Sequence, residues 1–198
     1  MTQARQTEWP IDDLFTRRWS PRAFTGERID DPTLLGLFEA ARWAPSAYNA
    51  QPWRFIYARP DGPGWSSIFD ALVEFNRGWA QRASALVVVL SRTQWIPPGK
   101  QAPESIPTHS FDTGAAWASL AFQATLAGWY THGMAGFDRE RLRAAFEIPG
   151  DFAIEAVIAV GRQGDAAILS EGLRAREAPN ARLPLGTIVA EGRFAFES

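Results

Sequence analysis

Cysteine is absent from the 198 residues, which excludes disulfides, thiolate metal sites and cysteine nucleophiles and is compatible with a reducing compartment. Histidine is scarce: His109 and His132 lack metal-ligand spacing, so no metal site is expected, and each reads as a surface or capping residue. An excess of one charge is also lacking. With 20 Lys+Arg against 22 Asp+Glu, the net charge of -2 suggests neither a nucleic-acid surface nor an acidic tail. The N-terminal MTQARQTEWPIDDLFTRRW has no apolar stretch of the signal-peptide kind, and no run approaches the roughly 18 apolar residues of a membrane span. The reading is a soluble, cytoplasmic protein with no membrane or nucleic-acid partner. There is no G-x-G-x-x-G after a strand, no Walker A motif and no G-x-S-x-G elbow, so a standing dinucleotide site of Rossmann type is not indicated.

What is present is a chain with 46% hydrophobic residues, long enough for a substantial core and read as one domain, 1–198. Nine tryptophans serve either a large buried interface or a flat ligand, and composition does not choose. Ile11 to Arg18 reads as a short helix, with Pro21 barring helical conformation at Ser20. Asp31 caps a helix that begins at Pro32 and stops before Pro45. Pro45 to Trp53 is turn-rich, Arg54 to Ala58 a strand, residues 64–82 helical with a break at Gly78, and Ala85 to Leu90 a buried strand. Residues 92–109, with four prolines, read as a long loop that is either a lid over a site or mobile. Asp112 to Thr131 reads as a helix apolar all round, Asp138 to Phe146 as another, and Ala153 to Val160 as a second buried strand. Residues 164–184 read as irregular and Thr187 to Glu191 as a final strand suited to pairing in another subunit. The pattern indicates an α+β or α/β domain.

Arg18, Ser20 and Arg22 alternate along an extended stretch, so two guanidinium groups and a hydroxyl can converge as a phosphate cradle. The same residues could equally end a helix and solvate a surface. Ser46, Asn49 and Gln51, with nearby turn amides, suit the edge of a heterocycle or an ordinary turn. Asn76 and Trp79 share a helix face, as a ligand wall or as core packing, and Arg182 is either a further phosphate charge or an exposed cation.

Taken jointly, RRWSPRAF (17–24), AARWAPSAYNAQPWRF (40–55), NRGWAQRAS (76–84), DTGAA (112–116), GMAGFD (133–138) and NARLPL (180–185) resemble the nitroreductase family in order and separation. The resemblance implies an α+β fold with a central mixed, mainly antiparallel β-sheet flanked by helices. It also implies an intertwined homodimer that exchanges its C-terminal strand and holds two tightly bound, non-covalent FMN molecules at the interface. By position, Arg18, Ser20 and Arg22 would take the FMN phosphate and ribityl chain, with Arg182 joining them. Pro45, Ser46, Ala47 and Asn49 would come from the partner chain, with Gln51 nearby. Asn76 would contact the flavin ring, and Ala135 and Gly136 would face its N5 edge. Trp19, Trp79 and Ala135 depart from the family pattern; Trp79 stands where a cation often sits, and a charge there would tune an anionic reduced flavin.

The implied function is an FMN-dependent oxidoreductase. It would pass hydride from NADH or NADPH through flavin N5 to small electron-poor substrates such as nitroaromatics, quinones, enones or aldehydes, in a ping-pong cycle. No side chain is assigned as essential acid or base, because the cofactor does the chemistry. Substrate choice would lie in residues 92–110 and in Tyr48, Trp95 and Phe111. The alternatives are a flavin-binding storage or sensor protein with little turnover, and a flavin-free interaction protein whose tryptophans form the partner surface.

Overall fold

A computed structural model describes residues 5–196. Its centre is a four-stranded sheet in the order β1 (Trp53–Ala58), β2 (Ala85–Arg92), β6 (Phe152–Gly161), β5 (Tyr130–Met134), every pairing antiparallel. Strand β2 shows why the sheet is buried on both faces. Leu86, Val88 and Leu90 join one apolar cluster, and Ala85, Val87 and Val89 join the other, as the period-two pleat requires. The first cluster packs under α3 (Trp65–Phe69), α4 (Glu74–Ala80) and α6 (Arg139–Ala145). The second packs under α2 (Asp31–Arg42) and α5 (His109–Leu126). The result is an α+β molecule, a helix-covered antiparallel sheet.

Several boundaries differ from expectation, each for a local reason. The first helix, α1, is a single turn, Leu14–Arg17, because Arg18 is already extended at φ -64°, ψ 122°. The cap of α2 is Asp30 rather than Asp31; its carboxylate accepts the Thr33 amide at 2.7 Å. Residues 64–82 break at 70–73, where Leu72 bridges to Phe137, and Gly78 lies inside α4. The 92–109 segment carries a small ladder, β3 (Gln94–Trp95) with β4 (Glu104–Ser105).

Helix α5 starts three residues earlier than expected and ends five earlier. At its end Gly128 is left-handed, φ +75°; its amide bonds Thr125 O, and the Trp129 amide bonds Ala124 O. This pair is a Schellman stop, and it frees the chain for strand β5, where the sequence reads as continuing helix. The 164–184 stretch contains a 3-10 turn at Ala166–Ile168 and a short α-helix, α7 (Glu171–Arg174). The final strand expected at Thr187 to Glu191 does not form in the single chain: a 3-10 turn at Leu185–Thr187 is followed by exposed, non-strand backbone.

Candidate functional site

The segment after α1 is extended and pinned from three directions. Arg5 Nη1 donates to the carbonyls of Thr16 (3.2 Å) and Arg18 (2.8 Å). His132 Nδ1 lies 3.0 Å from Pro21 O, and since a carbonyl only accepts, the proton sits on Nδ1. Glu177 Oε1 accepts the amides of Arg22 and Ala23 at 2.7 and 2.8 Å. Beyond these anchors, the 23–25 backbone bonds to that of residues 162–164, which ties the segment to the end of β6.

So held, Arg18 lies with its Nη1 3.3 Å from Ser20 Oγ. Burial, and then the charge of Arg182, push the Arg18 guanidinium below its ordinary pKa. Arg5 is lowered too, by burial first and then by Arg182 and Arg18. Arg22 Nε is buried without a hydrogen-bond partner. Arg182 is on an exposed stretch, its Nη1 donating to Asn180 O and Ala181 O. Thus Arg18, Ser20 and Arg22 share one segment, and the charge of Arg182, from the far end of the chain, is felt at Arg18.

Strand β5 leads from this cationic end to a second group. Asn76 is 8% exposed on α4, and its Nδ2 donates to Gly136 O at 3.0 Å. The Val73 amide bonds the same carbonyl at 3.1 Å. The approach requires glycine: a Cβ at 136 would stand 2.9 Å from both Asn76 Nδ2 and Val73 Cγ2. Ala135, exposed, precedes it.

Trp79 forms the wall between the two groups. It is 2% exposed, with its ring centroid 4.6 Å from His132 and 6.1 Å from Phe24. Core packing is therefore what its side chain does, and it offers no open face. Trp19 is also buried, edge-on to Tyr130. His132 is lowered in pKa by burial first, an effect the Pro21 carbonyl opposes and Arg22 reinforces.

The Pro45 to Gln51 segment forms a separate structure. Tyr48, Asn49 and Gln51 are all left-handed, at φ 51°, 55° and 46°, a concentration of backbone strain in non-glycine residues. Ser46 Oγ accepts the Gln51 amide, Arg54 Nη1 donates to Gln51 O, and buried Asp112 Oδ2 accepts the Ala47 amide at 3.2 Å. Asp112 thus secures the loop to α5. Among the described residues no hydrogen bond or ion pair joins this loop to the arginine group or to Asn76–Gly136. Tyr48 is 92% exposed, and Trp43 and Phe111 are exposed as well. Arg5 and Glu177 were not picked out from sequence, and nothing in their local sequence marks them; His132 reads there as a surface or capping residue but is largely buried against Pro21 O, and Asp112 reads only as the start of a helix and of the DTGAA segment. Among the described residues no group of side chains could hold a metal ion, and no helix is long and apolar enough to cross a membrane.

A helix-covered antiparallel sheet with an arginine group near one end of β5 and a buried amide–glycine contact beyond the other defines an α+β scaffold. Comparison with known proteins makes this specific. Residues 15–74 match the model of the nitroreductase family. A solved structure described as an oxidoreductase containing FMN superposes with a TM-score of 0.94 at 45% identity, covering 100% of both chains. An uncharacterised 15.4 kDa protein of Mycolicibacterium smegmatis is 33% identical over 71% of this chain and 97% of its own length. An NADH dehydrogenase of Thermus thermophilus is 29% identical over 91% of this chain and 96% of its own. The chain belongs to the nitroreductase family and is an oxidoreductase.

Proposed function

We propose that this protein is an FMN-dependent oxidoreductase that takes hydride from NADH or NADPH and passes it to small electron-poor organic acceptors, with nitroaromatics, quinones and enones as the candidate classes. The observation that carries the reading is the cradle itself. Arg18 and Arg182 bear mutually repelling charges with no carboxylate ion pair among the described residues, and a buried orphan donor at Arg22 lies in the same segment as Arg18. A phosphate supplies the acceptor oxygens and the negative charge that this arrangement lacks.

The residues fit the cofactor. Arg18, Ser20, Arg22 and Arg182 would hold the phosphate and ribityl chain, and Asn76 the ring edge, with Ala135 and Gly136 beside it. Pro45, Ser46, Ala47, Asn49 and Gln51 would reach the flavin from a second copy, which suits a loop that is strained, exposed at Tyr48, Asn49 and Gln51, and, among the described residues, joined to the cradle of its own chain by no hydrogen bond or ion pair. Bound FMN supplies a ring that accepts and releases hydride at N5. The protein's part is to orient that ring and leave one face open, so no side chain is assigned as acid or base. A ping-pong order, a homodimer, a single domain and a cytoplasmic setting belong to the same proposal. The dimer reading is supported by α5, which leaves Phe111 82% and Leu126 60% exposed.

The test is an absorbance spectrum of purified protein after FMN addition and desalting, repeated anaerobically with NADH and with NADPH. Retained flavin bands that bleach with either nucleotide are the expected outcome. Retained flavin that stays oxidised shifts the reading to a binding protein or to another donor; failure to retain flavin sinks it.

A further inference from the structure

Arg5 is the member of the cationic group that no motif singles out. Its Nη1 bridges the carbonyls of Thr16 and Arg18 across the end of α1, and its Nε is buried without a hydrogen-bond partner. Burial first, and then neighbouring charge, lower the pKa of Arg5 and Arg18: Arg182 acts on both, and Arg18 acts on Arg5. Among the described residues no carboxylate forms an ion pair with Arg5, Arg18, Arg22 or Arg182. The acids nearby are turned to amides instead: Glu177 to those of Arg22 and Ala23, and Glu8 to that of Leu185 at 2.8 Å. Three crowded guanidiniums without a counter-ion are relieved most by an anion carrying more than one negative charge.

We propose that Arg5 is a positioning residue of the cradle. It fixes the Arg18 main chain and, with Arg18 and Arg182, selects a dianionic phosphomonoester terminus over a ligand that lacks the phosphate. This rests on the FMN reading above. Arginine matters here because Nη1 alone bonds both carbonyls and leaves the Nη2 and Nε donors of the same planar cation for an anion, whereas an ammonium has one nitrogen for both tasks.

The experiment titrates flavin-free full-length protein with FMN and, separately, with riboflavin, following flavin fluorescence at low and high salt, with melting temperature measured in parallel. Arg5→Ala is expected to weaken FMN binding about tenfold or more, in line with the loss of a charge-assisted contact, while riboflavin binding stays unchanged. Arg5→Lys is expected to restore the salt dependence without the full affinity. An FMN-to-riboflavin affinity ratio in Arg5→Ala equal to that of the wild type overturns the role of Arg5 and leaves the FMN reading intact. If Arg5→Ala does not fold, Arg5→Lys decides, and wild-type FMN affinity there overturns the inference. A wild type that binds neither flavin overturns the FMN reading itself.

Discussion

His132 shows how much of the site depends on one protonation state. Its Nδ1–H is committed to the Pro21 carbonyl, Trp79 covers the ring, and Arg22 is close enough to oppose a second proton. Burial leads in holding its pKa below the ordinary 6.5. The unfolded chain therefore binds the proton more readily than the folded one. The associated stability is full above about 6.5 and is lost as pH falls from there through the folded pKa, below which no further loss occurs. The expected result is a urea midpoint that drops between pH 7.5 and pH 5.5, with a smaller drop in His132→Gln, whose amide still donates but does not titrate. Equal slopes in the two proteins would show that the imidazole is not the titrating group. At this scale the sequence was legible only where contacts are local. Arg18, Ser20 and Arg22 could be read from their alternation. Arg5, His132 and Glu177 could not, because they act across 13, 111 and 154 positions.

Among the elements, α5 and β5 depend on where one helix stops. The run from Asp112 to Thr131 is apolar enough to read as a single helix, because composition carries the signal for helix and for buried strand alike. The decisive information is the handedness of Gly128, which turns the chain through its Schellman pair and places His132 on a strand facing Pro21. Any Cβ there meets both a positive φ and Arg162 Nη1 at 3.0 Å. Gly128→Ala is expected to destabilise by about 1 kcal/mol or more, lowering the thermal midpoint with little change in far-ultraviolet helix signal. An unchanged midpoint would mean that the turn relaxes freely. Gly78 teaches the reverse. A helix tolerates an exposed glycine with nothing near its missing Cβ, and the true break is made by the Leu72–Phe137 bridge, a tertiary contact.

At the scale of the whole molecule, the sheet, its helical covers and the α+β class follow from periodicity, and the residues that sort to the two faces of β2 could be read directly. The end of the chain could not be settled in the same way. Thr187 to Glu191 has strand-like composition, yet it pairs with neither open edge of its own sheet, β1 or β5, and strand structure requires a partner. The exposed apolar face of α5 poses the same question. Phe111→Glu with Leu126→Glu is expected to convert a dimer to a monomer in light scattering after gel filtration and to reduce retained FMN. A monomeric wild type, or a double variant that stays dimeric with full flavin, would remove α5 from the interface.

The tethering of Arg182 to an exposed strand-less tail has a consequence for the protein's lifetime. Glu177 fastens the tail to Ala23 and Arg22, and Arg182 lies five positions further out, on exposed backbone. A single peptide-bond cleavage between them would leave the sheet and its helices in place and Arg182 held to the body by little more than the Leu185 amide bond to Glu8. Such a cut would register as lost flavin retention rather than as lost helix and strand, and no refolding would repair it.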